Sequence, residues 1–185
     1  AERRAVQQQM TEEAEAAVAR IALDGTLPPV LCLYDPEWHP GVVGLVASKL
    51  KERLHRPVIA FAPAEPAASS LRGSARSIPG FHIRDALATV AAARAELLER
   101  FGGHAMAAGL SLRSDALAAF RAAFEECAAR LLTPELLQAE LHSDGELALD
   151  EFTRGHAECL RDGGPWGMGF PEPQFDGVFE VLGWR

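Results

Sequence analysis

The sequence predicts an α/β fold, with a central mixed, largely parallel sheet flanked by helices, and three observations carry that expectation. Two apolar runs bracketed by turn formers, Val30 to Tyr34 and Pro57 to Phe61, read as strands. Between them Val42, Leu45, Val46 and Leu50 recur at helical spacing, and strand, helix and strand in that order form a parallel crossover. Further alternating and amphipathic stretches follow as far as Leu132, so strands and helices interleave through most of the chain.

Taken in order, the segment from about Arg3 to Leu23 is rich in Ala, Glu and Gln and lacks Gly and Pro, which favours one long helix. Val6, Met10, Ala14, Ala17, Val18 and Ile21 make a narrow apolar stripe along it, and Asp24-Gly25 stops it. So thin a stripe has little of its own to pack on, and a helix connecting to an upstream domain is expected. After the first strand, closed by Asp35-Pro36, Trp38-His39-Pro40-Gly41 opens the crossover helix, at the turn where α/β sheets commonly place ligand-binding residues. Trp38 is either a lid on the core or part of a site, and His39 either a partner for the helix N-terminus or a ligand contact. Ala62 to Ala68 is a Pro- and Ala-rich loop, and Ser69 to Ser77 alternates as a strand ending at Ile78-Pro79-Gly80. Phe81 to Phe101 is expected as a helix ended by Gly102-Gly103, which places His104 just past a helix C-terminus, whose dipole favours a cationic imidazole. A strand from Met106 to Leu112 and a helix from about Ser114 to Leu132, burying Leu117, Phe120, Phe124 and Cys127, complete the domain.

Thr133-Pro134 marks the next boundary. Beyond it, Gly145 to Leu149 reads as a short strand, Asp150 to Arg161 as a helix, Gly163 to Pro173 as a loop dense in turn formers, and Phe175 to Trp184 as an alternating strand. A single strand is not stable alone, so the last run either pairs with the short strand before it or belongs to a further domain. Trp166 and Phe170 in the loop either stack on bases or cap an interface between modules.

Composition narrows the function classes. With 185 residues the chain holds one domain, or one domain and part of another. No apolar run approaches the roughly 20 residues of a membrane helix, and the charged start offers no signal-peptide core, so a cytoplasmic protein without membrane contact is expected. Cys32, Cys127 and Cys159 lack CxxC spacing, which suggests packed thiols instead of a zinc site or a disulfide framework. A formal charge of -8 argues against indiscriminate nucleic-acid binding, since a protein that tracks phosphates is usually basic. A local pocket remains compatible with it.

The candidate chemistry sits in two places. In Gly102-Gly103-His104-Ala105-Met106-Ala107-Ala108-Gly109, paired glycines let backbone approach a ligand, a histidine follows, and small side chains leave access open. The octet is either a site for an anionic group or a tight turn into a buried strand. In Gly73-Ser74-Ala75-Arg76-Ser77, strand alternation projects Ser74 and Arg76 on one face with Arg72 in register. A hydroxyl beside a guanidinium suits a phosphate clamp, and the alternative is an exposed face with a surface ion pair.

Trp38 to Gly44, Gly73 to Ser77 and Gly102 to Gly109, in that order, resemble the C-terminal half of the DHH phosphoesterases, most closely the RecJ-like single-strand exonucleases. The octet alone is shared more widely, with alanyl-tRNA synthetase relatives among others. The resemblance implies a connecting helix (1-26) from a catalytic DHH domain, a DHH-associated substrate-binding domain (27-133), and a linker with the start of an oligonucleotide-binding β-barrel (134-185). It implies hydrolysis of single-stranded DNA from the 5′ end in repair and recombination, with His104 catalytic at the scissile phosphate or its metal-bound water. Ser74, Arg76, Gly73, Gly102, Gly103 and His39 would bind substrate, Ser74 and Arg76 holding a terminal 5′ phosphate. The family's Asp-His-His triplet is absent, so this chain is expected to carry no metal or other cofactor and to be inactive alone, with Mn or Mg bound by the full-length enzyme. Single-stranded DNA, the DHH domain, a single-strand-binding protein and a helicase are the implied partners. The rival expectations are a DHH-family phosphoesterase acting on short oligonucleotides or nucleotide second messengers, and a non-catalytic replication scaffold.

Overall fold

The structure, a computed structural model, describes residues 2–23, 27–65, 68–167 and 169–183. The expected Asp24-Gly25 stop and Trp184 lie outside the described residues, as does the side chain of Ile21. The chain divides into two compact units, Ala1–Ala139 and Glu140–Arg185.

The first unit is built on a five-stranded sheet. Helix α1 (Glu2–Leu23) precedes β1 (Leu31–Tyr34), α2 (Val43–Leu54), β2 (Val58–Pro63), β3 (Ser70–Arg76), α3 (Ile83–Ala93), β4 (Arg100–Gly103), β5 (Ala107–Arg113) and α4 (Leu117–Leu131). The spatial order is β1-β2-β3-β5-β4. Only β1 and β2 run parallel, joined by the α2 crossover that the sequence predicts; every other pairing is antiparallel. The expectation of a largely parallel sheet is corrected here, and connection length is the reason. The link from β2 to β3 and the turn from β4 to β5 are far too short for a parallel crossover, which needs a dozen residues or more.

Strand alternation sorts side chains into two cores. Ile59 and Phe61 of β2, Leu71 and Ala75 of β3, and Ala108, Leu110 and Leu112 of β5 face α3 and α4, where Phe120 stacks on Phe124 at 5.6 Å and meets Phe61 edge-on at 5.8 Å. Leu31, Leu33, Val58, Ala60 and Ala62 face the other way, against Val43, Val46, Ala47 and Leu50 of α2. Met10, Ala14 and Val18 of α1 join this second core. The narrow stripe of α1 therefore does have a surface to pack on, contrary to expectation, and Trp38 Nε1 donates to Glu13 Oε2 at 3.1 Å across it.

The expected helix Phe81 to Phe101 is shorter. It ends at Ala93, a 3-10 turn spans Ala95–Leu97, and Arg100 to Gly103 is a strand paired with β5. Leu97 and Leu98 are both buried, and adjacent side chains on a continuing helix point about 100° apart, so breaking the helix is what lets both enter the core. Residues 114–116 form a 3-10 turn, and the α-helix expected from Ser114 begins at Leu117. The first unit extends past the Thr133-Pro134 boundary because Leu136 and Leu137 pack on the α3–α4 core and Arg56 Nη1 donates to the Leu137 carbonyl at 2.6 Å. Burial pushes the Cys32 thiol up to about 12. Cys32 as a residue is half-buried, Cys127 is buried and Cys159 is exposed, against the expectation of three packed thiols.

The second unit holds helix α5 (Arg154–Asp162), whose first turn is capped by Thr153 Oγ1 accepting from the His156 N–H at 3.2 Å. That cap explains why the helix starts later than Asp150; Leu149–Glu151 is a 3-10 turn. Neither Gly145 to Leu149 nor the described part of Phe175 to Trp184 is a strand. The two segments touch through Asp144 N–H to the Gln174 carbonyl at 2.7 Å and Asp176 N–H to the Gly145 carbonyl at 3.2 Å, and two extended segments alone do not sustain a ladder. Trp166 lies on Phe170 at 4.8 Å between ring centroids, and its Nε1 donates to the Leu160 carbonyl at 3.0 Å.

Candidate functional site

The core beneath α1 and α2 takes sheet residues from β1 and β2 only. Across β3, β5 and β4 the same face of the sheet is polar; α2 reaches over Ser74 and Arg76 of β3, which are half-buried, and Arg72, Arg100, Gly102 and Gly109 are exposed. Directly paired residues share a face, so the register sets out what it presents. Arg72, Ser111 and Arg100 form one row, Ser74, Gly109 and Gly102 the next, and Arg76 stands beside Ala107 in a third, next to the β4–β5 turn. The first two rows and the start of α2, at Pro40 and Val43, line an open depression of about 450 Å³.

Ser74 and Arg76 do come together, as the sequence predicts. Arg76 Nη1 donates to Ser74 Oγ at 2.9 Å and to the Ala75 carbonyl at 2.9 Å, while Nε donates to Ser48 Oγ of α2 at 3.1 Å. Among the described residues no carboxylate pairs with this guanidinium, so its charge stays available to an anion. Gly44, in the first turn of α2, makes room for the pair; a Cβ there would stand 3.0 Å from both Arg76 Nη2 and Ser74 Oγ. The start of α2 has no side-chain cap, and its positive dipole end lies beside the two side chains. Ser48 is not singled out by the sequence, and Gly44 only as the end of the Trp38 to Gly44 motif. The one signal they share is a spacing of four, which puts both on one helix face.

His104 lies in the β4–β5 turn, so the expected helix C-terminus behind it is absent, and with it the reason for a charged imidazole. The turn itself is tightly held. Gly103 has φ of 144°, and a Cβ there would stand 2.4 Å from the Ala107 carbonyl oxygen, so glycine is required. His104 N–H donates to the Ala107 carbonyl at 2.8 Å, Ser77 N–H to Met106 at 2.9 Å, and Ile83 N–H to Ala105 at 3.0 Å. The imidazole is exposed and has no partner among the described residues.

Gly102 and Gly109 lie side by side, and at neither would a Cβ meet anything within 4 Å. Gly73 differs. Its backbone lines the depression, but an added Cβ would meet Phe61 Cε1 at 2.5 Å and Leu110 Cδ2 at 2.8 Å on the core side. Gly73→Ala is therefore expected to destabilise the protein by about 1 to 3 kcal/mol through overpacking. Denaturant unfolding checks this: the midpoint falls at unchanged slope. His39 is exposed, and its Nδ1 accepts from the Gly41 N–H at 3.0 Å, which orients the ring and leaves Nε2 as the N–H of the neutral form. Trp38 is buried and acts as a lid.

Among the described residues no three His, Cys, Asp or Glu side chains come together to hold a metal ion, and no helix is long and apolar enough to cross a membrane. What the face offers is a set of oriented hydrogen-bond donors, Arg76 and Ser74 foremost, on an α/β sheet, a chemistry that suits anionic groups. The DHHA1 domain model matches residues 27–130, and the chain belongs to that family. It is 54% identical over 157 residues to the single-stranded-DNA-specific exonuclease RecJ of Escherichia coli, an alignment covering 85% of this chain and 27% of that protein. Two solved structures of RecJ from Thermus thermophilus, in complex with Mn2+ and with Mg2+, match at 30% identity with TM-scores of 0.74 and 0.65. Each match covers 94% of this chain, and 24% and 25% of the respective RecJ chains. The chain thus spans under a third of the length of these relatives.

Proposed function

We propose that this chain is the substrate-binding part of a RecJ-like exonuclease that degrades single-stranded DNA from its 5′ end. The observation that carries the reading is the Ser74–Arg76 pair, braced by Ser48 on an open sheet face, with no carboxylate among the described residues to neutralise it. In this role Ser74 and Arg76 hold the terminal 5′ phosphate, and the uncapped start of α2 adds partial positive charge. His104, fixed by its stapled turn, presents an imidazole to the scissile phosphate, while Gly102 and Gly103 keep the approach clear and His39 offers a further donor. These groups position the strand and stabilise charge; they supply no nucleophile. Residues 1-26 act as the link from a catalytic domain, 27-133 as the substrate domain, and 134-185 as the start of an oligonucleotide-binding module. The Mn2+ or Mg2+ of the solved relatives would be held by residues outside this chain, since none of the described residues is grouped to take it. The protein works in the cytoplasm, in DNA repair and recombination, beside a single-strand-binding protein and a helicase.

The full-length protein supplied with Mn2+ or Mg2+ should shorten a 5′-phosphorylated single strand from that end and spare a blunt duplex. Equal digestion of both, or of neither, would overturn the assignment.

A further inference from the structure

Two further arginines on the open face remain unused by this reading. Arg72 and Arg100 are exposed, stand in one row with Ser111 between them on β5, and line the same depression. Neither forms an ion pair among the described residues; the nearby Glu99 instead accepts from Ser70 Oγ at 3.0 Å. The two arginines flank Ser111 from strands on either side of β5, about 10 Å apart at the backbone, a spacing that two long side chains can close around one anion.

Their placement relative to the Ser74–Arg76 pair is the second observation. The row lies two residues further along β3, about 7 Å away along the strand. That distance suits one phosphate step of an extended strand, and side chains as long as arginine can also converge on the more closely spaced phosphates of a triphosphate. Between the rows lie Gly102 and Gly109, where added side chains would meet nothing. Neither has a positive φ, and strand positions ordinarily favour a side chain, so the fold itself gives no reason for glycine at either. A ligand lying flat on the backbone does give one.

We propose that Arg72, Ser111 and Arg100 form a second phosphate subsite, taking a phosphate adjacent to the one held by Ser74 and Arg76 across a bare glycine floor. The inference rests on the nucleic-acid reading above and extends it to a site two phosphates long. Arg76 lies between this row and the His104 turn. A strand whose cut phosphate sits at His104 therefore reaches the row with the outer phosphates of a 5′-triphosphate end. A strand that crosses the face the other way reaches it with the phosphate of its next nucleotide, which would move the cut phosphate from His104 to this row.

The test uses the full-length protein without metal and three single strands of one sequence, ending in 5′-hydroxyl, 5′-monophosphate and 5′-triphosphate. The Arg72→Ala/Arg100→Ala double variant should bind about ten- to a hundredfold more weakly where the subsite is filled. The salt slope should also fall by about 0.7 for each phosphate that is no longer neutralised. Weakening confined to the triphosphate strand supports the subsite and identifies the end group; equal weakening on all three supports it and identifies an internal phosphate. Unchanged affinity and slope on all three overturn it. The Arg72→Lys/Arg100→Lys variant, which keeps the charge, should retain most of the slope, and a slope as low as the alanine variant's would also overturn it. Arg76→Ala, measured on the same strands, judges the terminal clamp separately, so either subsite can fail while the other stands.

Discussion

Replacing His104 by alanine in the full-length protein is expected to lower turnover by about 10²- to 10³-fold, the usual cost of losing one oriented group that stabilises developing charge. The melting temperature should move by less than about 2 °C, because an exposed side chain without partners contributes little to stability. What fixes the turn is backbone: Gly103, the His104 N–H, and the carbonyls of Ala105 and Met106. None of these is altered by the substitution. His104→Gln tests the same point with a side chain that still donates a hydrogen bond but does not exchange protons near neutral pH. If His104 acts by hydrogen bonding alone, the glutamine variant recovers much of the lost rate; if it moves a proton, the variant stays near the alanine level. A fall in melting temperature that parallels the fall in activity would return His104 to a structural role. Single-turnover rates and thermal unfolding, measured on the same preparations, separate these outcomes.

The contrast between His104 and its neighbours shows what was legible in the sequence. Strand alternation placed Ser74, Arg76 and Arg72 on one face, because the period of two follows from backbone geometry alone. Which face that was could not be read, since nothing local tells which helices cover which strands. The apolar α1–α2 core stops at β2, and α2 meets the polar face of β3 only through Gly44 and Ser48, which leaves Arg72 exposed and Ser74 and Arg76 half-buried. The octet was legible as a close-approach element, yet its setting was misjudged. A glycine pair after a helical pattern reads as a helix stop, whereas here it lies in an edge strand whose pairing with β5 is a tertiary fact. Gly73 shows the same limit from the other side: it stands within a motif expected to bind substrate, but Phe61 and Leu110, distant in sequence, are what exclude a side chain. Ser48 was invisible for the converse reason, as a lone helical serine gains meaning only once Arg76 arrives from another element.

Arg76→Ala is expected to cost about 1.5 to 3 kcal/mol of binding to a 5′-phosphorylated single strand, the worth of a charge-assisted contact, or about one to two decades in affinity. The effect should be absent on the 5′-hydroxyl strand, so that wild type and variant converge there. The geometry sharpens this expectation. Arg76 donates to Ser74 and Ser48, and removing it frees two hydroxyls at a partly open surface, where water can replace the missing bonds. Folding should therefore change little. Arg76→Lys keeps the charge but cannot bridge Ser48, Ser74 and a phosphate with one planar fork, so only part of the affinity returns. Ser48→Ala leaves the charge and Ser74 in place and removes only the brace on Nε, and a smaller effect with the same dependence on the 5′ phosphate should follow. If Arg76 merely belongs to a basic track, the alanine variant weakens both strands alike, and the salt slope falls by about 0.7 on each. Affinity for the two ends across a salt series, with metal left out to block cleavage, decides between the clamp and the track. Equal weakening on both ends would sink the clamp, and with it the assignment of strand polarity to this face of the sheet.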